Sequence, residues 1–318
     1  MRVLVTGGAG FIGRHLVKLL APAHDLVVLD SFEPIVHGPS PWNDVEGATR
    51  LVIGKLEEIA AVCNAMEGCE AVIHLAAGVS VEASYVQPSR FVRTNSLGTA
   101  VLWEAIQRAG SIKHVIVASS MSVYGEGSRE RGMLETDFCR PASIYGLSKY
   151  ESEQMSFLAG ELYHIPVTAL RLWNTYGPGQ SLTNAETGVV AIFASRLLAG
   201  EPPLIYDNGG QLRDFIHVSD VARAFAAALE SRTAGVFNIG TEAPATVCHV
   251  AHRLSDLLTQ GRVRPVITLR HRPGDIRYCY ADITQAHRLL RWGPRVDLDA
   301  GMAAYADMLH REQNSSQS

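Results

Sequence analysis

The stretch Gly7-Gly8-Ala9-Gly10-Phe11-Ile12-Gly13 constrains this chain more than any other. It joins an apolar run, Val3-Leu4-Val5, to a segment from Phe11 to Leu20 with apolar residues at helical spacing. Glycine serves such a junction at the tight turn, where backbone approaches a diphosphate, and where helix meets strand. The helix that starts there points unpaired N–H groups at an anion. Asp30 closes the next apolar run, Leu26-Val27-Val28-Leu29. A carboxylate at that place accepts hydrogen bonds from ribose hydroxyls and repels a 2′-phosphate, which favours NAD over NADP. A glycine-rich turn with a strand-end aspartate acting only as a cap is the alternative these residues leave open.

The same alternation continues along the chain. Leu51-Val52-Ile53, Ala71-Val72-Ile73-His74-Leu75 and Val115-Ile116-Val117 are continuous apolar runs, as buried parallel strands are. Pro166-Val167-Thr168-Ala169-Leu170 is another strand candidate, and helical spacing occupies about 56–66, 91–109 and 143–160. This repetition predicts an α/β fold: a Rossmann-type doubly wound parallel sheet with a smaller C-terminal substrate-binding lobe. Residues 1–172 are expected to form the nucleotide-binding domain, with about 215–242 returning to it, and 173–310 mainly the lobe. Ser31 to Thr49, with Pro34, Gly38, Pro39, Pro41 and Gly47, reads as a surface loop. Within it, Pro39 to Gly47 reads as a lid or a variable loop. Beyond Leu170 the rhythm loosens around one apolar helix, Val189 to Leu198, and the polar residues 311–318 read as a frayed tail.

With 318 residues, 47% of them hydrophobic, the chain can bury a large core. A formal net charge of -4 argues against gripping nucleic acid through counterion release. No apolar run approaches the roughly 20 residues of a membrane helix. The first residues lack the apolar stretch of a signal peptide. Cys63, Cys69, Cys139, Cys248 and Cys279 form no C-x-x-C pair, which argues against a disulfide scaffold and fits a reducing cytoplasm. His249 and His252 have no evident third ligand nearby, and no H-E-x-x-H occurs, so no metal site is expected.

Tyr145 and Lys149 stand four residues apart, on one face of a predicted helix. A phenol titrates near 10, too high for a base near neutrality, and a neighbouring ammonium together with a cationic nicotinamide ring favours the phenolate. Lys149 can also hold the nicotinamide ribose. Ser119-Ser120-Met121-Ser122-Val123-Tyr124-Gly125 follows the strand His114 to Ala118, at the sheet edge where doubly wound folds bind ligands. A serine hydroxyl there can bridge a substrate oxygen and Tyr145.

Taken together, these motifs resemble the extended short-chain dehydrogenase/reductases, and within them the NAD-dependent nucleotide-sugar epimerase/dehydratase family. The resemblance runs from Arg2 to about Pro294 and includes Thr6 to Gly13, His74-Leu75-Ala76-Ala77, Asn95 and Ser119 to Gly125. It continues through Tyr145 with Lys149, Arg171 to Gln180, Arg213 to Val218 with Asp220, Phe237 to Gly240, Arg272 to Asp275 and Ala281-Asp282. It implies Ser120, Tyr145 and Lys149 as the catalytic trio. It implies a cofactor site at Gly7, Gly10, Phe11, Ile12, Gly13, Asp30, Leu56, Leu75, Ala76, Ala77 and Asn95, together with Tyr145 and Lys149. Asn95 also reads as a buried amide that supports the catalytic helix. For a dTDP- or UDP-linked sugar it implies Ser80, Ser120, Ser122, Tyr145, Asn174, Val189, Leu204, Tyr206, Arg213, Arg272 and Asp275. Two guanidiniums and an amide, from Arg213, Arg272 and Asn174, suit a diphosphate. The resemblance further implies a homodimer built on a four-helix bundle from about 91–109 and 143–160.

Family dehydratases and decarboxylases usually carry an acid just before Val-Tyr-Gly, whereas this chain has Ser120-Met121-Ser122. The reading is therefore NAD-dependent 4-epimerisation, with net reduction or oxidation of a 4-keto nucleotide sugar as the alternative. A dehydratase or a catalytically idle NAD-sensing binding protein ranks below both. Cys279 falls at a family position that gates pocket size, or is simply a buried small residue. The chain departs from the family at Gly54-Lys55-Leu56-Glu57-Glu58, where an aspartate often meets the adenine amino group; Lys55 cannot accept that bond. Asp30→Ala should weaken the preference for NAD over NADP, read as the ratio of the two dissociation constants; an unchanged ratio would place the ribose contact elsewhere.

Overall fold

The computed structural model describes residues 1–37, 44–184, 186–271 and 274–316. The first half runs β1 (Arg2–Thr6), α1 (Phe11–Leu20), β2 (Asp25–Asp30), α2 (Pro34–His37), β3 (Arg50–Ile53), α3 (Ile59–Met66) and β4 (Ala71–His74). Next come α4 (Val81–Val86), α5 (Pro88–Phe91), a π-helical turn (Val92–Leu97), α6 (Gly98–Ala109), β5 (His114–Ser120) and α7 (Ile144–Tyr163). The second half holds β6 (Val167–Leu172), β7 (Asn174–Tyr176), α8 (Val189–Leu198), β8 (Leu204–Ile205), β9 (Leu212–Arg213), β10 (Phe215–His217) and α9 (Val218–Ser231). It ends with β11 (Gly235–Ile239), β12 (Ala245–Thr246), α10 (Val247–Thr259), β13 (Val266–Ile267), β14 (Tyr278–Cys279) and α11 (Leu298–Ser316).

Seven strands form one parallel sheet in the order β11-β6-β5-β4-β1-β2-β3. This is the doubly wound α/β architecture the alternation predicts, with the order reversing between β1 and β4. The apolar runs are continuous because both sheet faces are covered. Val3, Val5, Leu26 and Val28 point into one buried cluster with α1 and α9, while Leu4, Val27 and Leu29 point into another with α3 and α6. A third cluster, built on Tyr176, Phe193, Phe215, Leu254 and Tyr305, gathers α8, α10 and α11 beside the short strands. Strand β11 returns to the edge of the main sheet beside β6, and α9 packs on α1.

Helix α11 continues through the polar run after His310 to Ser316, and its buried Met302, Tyr305, Ala306 and Leu309 anchor the helix upstream. The proline-rich segment 31–49 contains a helical turn, α2, and buries Val45; residues 38–43, which include most of the suggested lid, lie outside the described residues.

The glycine loop is fixed by close approach. Gly7 has φ of +71°, and a Cβ there would lie 2.6 Å from the Ala76 nitrogen. A Cβ on Gly13 would lie 2.4 Å from the Gly7 carbonyl oxygen and 2.6 Å from Gly8 Cα. Both clashes are with backbone, which cannot rotate away as a side chain can. Gly13→Ala should therefore destabilise the ligand-free protein by at least the ~1–3 kcal/mol typical of overpacking. Chemical denaturation of the ligand-free chain would show it, and an unchanged midpoint would mean that the loop yields.

Candidate active site

The loop leaves an anion-binding cradle at the C-terminal edge of the sheet. Gly7 N–H donates to the Leu29 carbonyl at 2.8 Å and Gly10 N–H to the Gly7 carbonyl at 3.1 Å. Gly10 caps α1 with no side-chain cap, so the first-turn N–H groups of Phe11, Ile12 and Gly13 face outward for a ligand. Leu75, Ala76 and Ala77 extend from β4 against the same loop and are partly exposed. Their place is held from below: Thr6 Oγ1 accepts from the Ala76 N–H at 3.3 Å and lies 2.7 Å from His74 Nδ1. Burial drives the His74 pKa down to about 3, so this imidazole is a neutral strut.

Asp30 is only 7% exposed. Its Oδ2 accepts from the Ala9 N–H and its Oδ1 from the Phe32 N–H, both at 3.0 Å, and His37 Nε2 lies 3.3 Å from Oδ1. The carboxylate therefore caps the loop, and it retains acceptor sites for a hydroxyl. A glycine cradle with free N–H groups beside a buried carboxylate fits the diphosphate and ribose of a dinucleotide.

Helix α7 carries the reactive side chains, and its sequence explains its depth. Ser143 caps it by accepting from the Gly146 N–H at 2.9 Å. Ser148, Ser152, Ser156 and Gly160 recur every four residues and line one buried face, so α7 lies close to α6 and β5. Asn95, on the π-helical turn, locks this contact. Its Nδ2 donates to Ser148 Oγ at 2.9 Å and to the Gly78 carbonyl at 3.1 Å, while its Oδ1 accepts from the Gly78 N–H at 2.8 Å. The Ser152 hydroxyl donates to the Asn95 carbonyl. Asn95 therefore braces the helix that carries Tyr145 and Lys149, and its Oδ1 keeps one acceptor site.

Tyr145 and Lys149 share the inward face of α7. Lys149 is 4% exposed, and burial lowers its pKa to about 8 while Glu153, one turn on, holds it up. Burial raises the Tyr145 phenol, and a hydrogen bond with Ser120 pulls it partly back. In the chain alone burial prevails over that hydrogen bond. Phe91 edges onto the Tyr145 ring at 6.4 Å between centroids. Ser120 ends β5, and its Oγ accepts from the Ser122 N–H at 3.1 Å, leaving the hydroxyl proton to donate. Ser122 in turn packs against Gly146, where a Cβ would lie 2.5 Å from the Ser122 carbonyl oxygen.

The lobe residues gather around the short strands. Asn174 opens β7, and its buried Oδ1 has no protein partner, as expected of an amide that awaits a ligand. Arg213 on β9 pairs with Asp275 at 2.6 Å and donates to the carbonyls of Ile276 and Leu212. A guanidinium has five N–H donors, so about two stay available. Gln211 donates to Asp275 Oδ2 at 3.2 Å, so Asp275 is held between Gln211 and Arg213. Val189, Leu204 and Tyr206 are partly exposed on α8, β8 and the loop after it. Arg272 lies outside the described residues.

Leu56 buries its side chain in the core against Gly98 and keeps its backbone for a ligand. Ser80 Oγ accepts from the Ala83 N–H at 3.0 Å as the cap of α4, and keeps its proton and one acceptor site. The residue that sequence reasoning passed over is Glu153. Its spacing from Lys149, the same four residues that separate Tyr145 from Lys149, is the signal that could have found it. Among the described residues, no group of three or more His, Cys, Asp or Glu side chains is placed to hold a metal, and no helix is long and apolar enough to cross a membrane.

Comparison with known proteins agrees with this geometry. Residues 3–240 match the model of the NAD dependent epimerase/dehydratase family. The chain is 32% identical to a dTDP-L-rhamnose 4-epimerase of Burkholderia thailandensis, over 98% of this chain and 95% of that one. It is 34% identical to a putative UDP-glucose 4-epimerase of Methanocaldococcus jannaschii, over 94% and 95%. The crystal structure of a Thermus thermophilus UDP-glucose 4-epimerase in complex with NAD superposes with a TM-score of 0.88 at 32% identity, covering 98% of this chain and 99% of that one. By fold, by site geometry and by sequence, the chain belongs to the NAD dependent epimerase/dehydratase family.

Proposed function

We propose that this protein is an NAD-dependent nucleotide-sugar 4-epimerase. The observation that carries the proposal is the meeting of Ser120, Tyr145 and buried Lys149 at the same sheet edge as the glycine cradle and Asp30. Bound NAD supplies the acceptance and return of hydride at the sugar C4. Tyr145 takes the C4 hydroxyl proton, directly or across the Ser120 hydroxyl, and returns it after the 4-keto sugar has turned in the pocket. Lys149, with a pKa of about 8, carries a proton near neutrality and supports the phenolate and the nicotinamide ribose. Asp30 and the amides of α1 hold the adenosine end, and Asn174 with Arg213 takes the sugar diphosphate. The residues before Val123-Tyr124 carry no acid, so nothing there expels a C6 hydroxyl. The curated relatives also favour epimerisation over net reduction, since two of them bear 4-epimerase names.

The carrier nucleotide is dTDP or UDP in this reading, and the working unit is a homodimer. On α7, Leu147, Leu158 and Leu162 are exposed and fall on one face, with Leu97 and Val92 exposed on the turn before α6. Such a face suits a four-helix pairing with a second copy.

A panel of nucleotide sugars with catalytic NAD, followed by NMR and by NADH absorbance together, tests the reaction. A C4 epimer without accumulated NADH supports epimerisation, whereas stoichiometric NADH change makes the enzyme a dehydrogenase or reductase. Tyr145→Phe should lower turnover by about 10²–10⁴-fold, the usual contribution of a positioned proton-transfer group, while NAD is retained. Glu153→Gln removes the carboxylate that supports the Lys149 ammonium. It should move the alkaline fall of kcat/KM below the wild-type limb near pH 8. Because Arg171 then loses its buried partner, stability should drop by up to about 3–5 kcal/mol. A pH profile that does not move would deny Glu153 its role in setting Lys149.

A further inference from the structure

Four charged side chains outside the catalytic trio form two ion pairs around the dinucleotide cradle. Lys55, just after β3, pairs with Glu33, just after β2, at 2.7 Å. Arg90 on α5, downstream of β4, makes a bidentate pair with Glu186, in the loop between β7 and α8, at 2.5 and 2.9 Å. The sheet order β4-β1-β2-β3 puts the glycine loop of β1 between these pairs. The pairs also feel one another, since Glu33 joins Glu186 in raising the Arg90 guanidinium.

The two pairs differ in strength. Lys55 and Glu33 are 54% and 45% exposed, a setting in which an ion pair contributes little and salt screens it. Arg90 and Glu186 are 28% and 7% exposed, and their fork-to-carboxylate geometry is the stronger kind. The Glu186 loop is braced as well: its N–H donates to Asn184 Oδ1 at 2.8 Å, and the Asn184 N–H to Ser181 Oγ at 3.1 Å. At its other end the Arg90 guanidinium lies 5.6 Å from the centroid of Phe91, the ring that packs on Tyr145.

We propose that the Arg90–Glu186 pair is a clasp beside the dinucleotide trough that retains NAD between catalytic cycles, with the exposed Lys55–Glu33 pair as a weak outer contact. The proposal rests on the cofactor placement given above. A 4-epimerase returns its hydride each cycle and has no need to exchange cofactor, so slow release suits it. The four residues are positioning residues: they act on the exit of NAD and not on the reacting atoms. Lys55, which cannot receive the adenine amino group, gains a use in this arrangement as the cation of the outer contact.

The test is the release rate of labelled NAD from the loaded protein, chased with unlabelled NAD. Arg90→Met should release NAD about tenfold faster or more, since it removes the forked half of the clasp. Lys55→Ala should change release by less than about threefold, and raised salt should mimic it, because that pair is exposed. The double exchange Arg90→Glu with Glu186→Arg should restore slow release, while Arg90→Lys should restore it only in part, lacking the fork. Release at the wild-type rate from folded Arg90→Met overturns the clasp, and an equal loss of thermal stability with and without NAD then marks the pair as structural. Should Arg90→Met not fold, Glu186→Gln takes its place, and wild-type release from that variant is equally fatal. Asp30→Ala in the same assay separates the two ideas. If it accelerates release and Arg90→Met does not, the clasp alone fails; if neither does, the cofactor placement fails too.

Discussion

Glu153 and Arg171 form a buried ion pair on which the catalytic end of the sheet depends. Arg171 Nε and Nη2 donate to the two Glu153 oxygens at 3.0 and 2.6 Å, with both side chains at most 4% exposed. An ion pair so deep is sustained only if its remaining hydrogen-bonding capacity is met. Here Ser119 Oγ donates to Glu153 at 2.6 Å, the Arg171 Nη1 donates to the Glu135 carbonyl, and the guanidinium lies 4.6 Å from the Tyr124 ring centroid. Tyr124 in turn donates to Asn238 on β11, whose Nδ2 donates to the Met133 carbonyl. One pair thus ties β5, α7, β6, the segment at 133–135 and the returning strand β11. Ser119 and Lys149 each stand next to or one turn from it, so the geometry of Ser120 and the charge of Lys149 share a single anchor.

That anchor also explains how a lysine can stay charged at depth. Desolvation alone pushes an ammonium far down, and Lys149 settles near 8 because Glu153 opposes it. Glu153 serves both Lys149 and Arg171, and the Arg171 charge is permanent. The result is a lysine whose proton is labile near neutrality beside a buried ion pair. Burial keeps the Tyr145 phenol high in the chain itself, and its hydrogen bond with Ser120 lowers it in part.

What the sequence showed clearly was local or periodic. The apolar runs of β1 to β6 announced a two-sided sheet because every residue in them meets a core, and the glycine spacing announced the cradle because a Cβ there has no room. Tyr145, Lys149 and Ser120 could be placed from the helix period and the strand end. Roles that depend on who sits opposite were less visible. That Asn95 binds Gly78 and Ser148, and that Leu56 packs on Gly98, carries no local signal in the sequence. Glu186 carries no pattern of its own; its partner Arg90 stands on α5, far away in the chain, and only the fold brings them together. The polar end of α11 carries no helical signal of its own, since the helix there continues from the buried residues upstream.

The lobe follows a different physical logic from the sheet. Its strands are two or three residues long, and buried polar side chains hold them in place. Asp214 is buried between β9 and β10 and accepts from the N–H groups of Thr241, Glu242 and Ala281, joining the end of β11 to the segment after β14. Asp220 does the same at the start of α9, accepting from the N–H groups of Arg295 and Val296. Burial pushes the Asp214 carboxyl up while these donors hold it down. Hydrogen bonds of this kind fix position without demanding long strands, which leaves the surrounding loops free to differ in what they bind. The sheet is thus held by long continuous strands, while the short strands beside it are pinned at a few buried carboxylates.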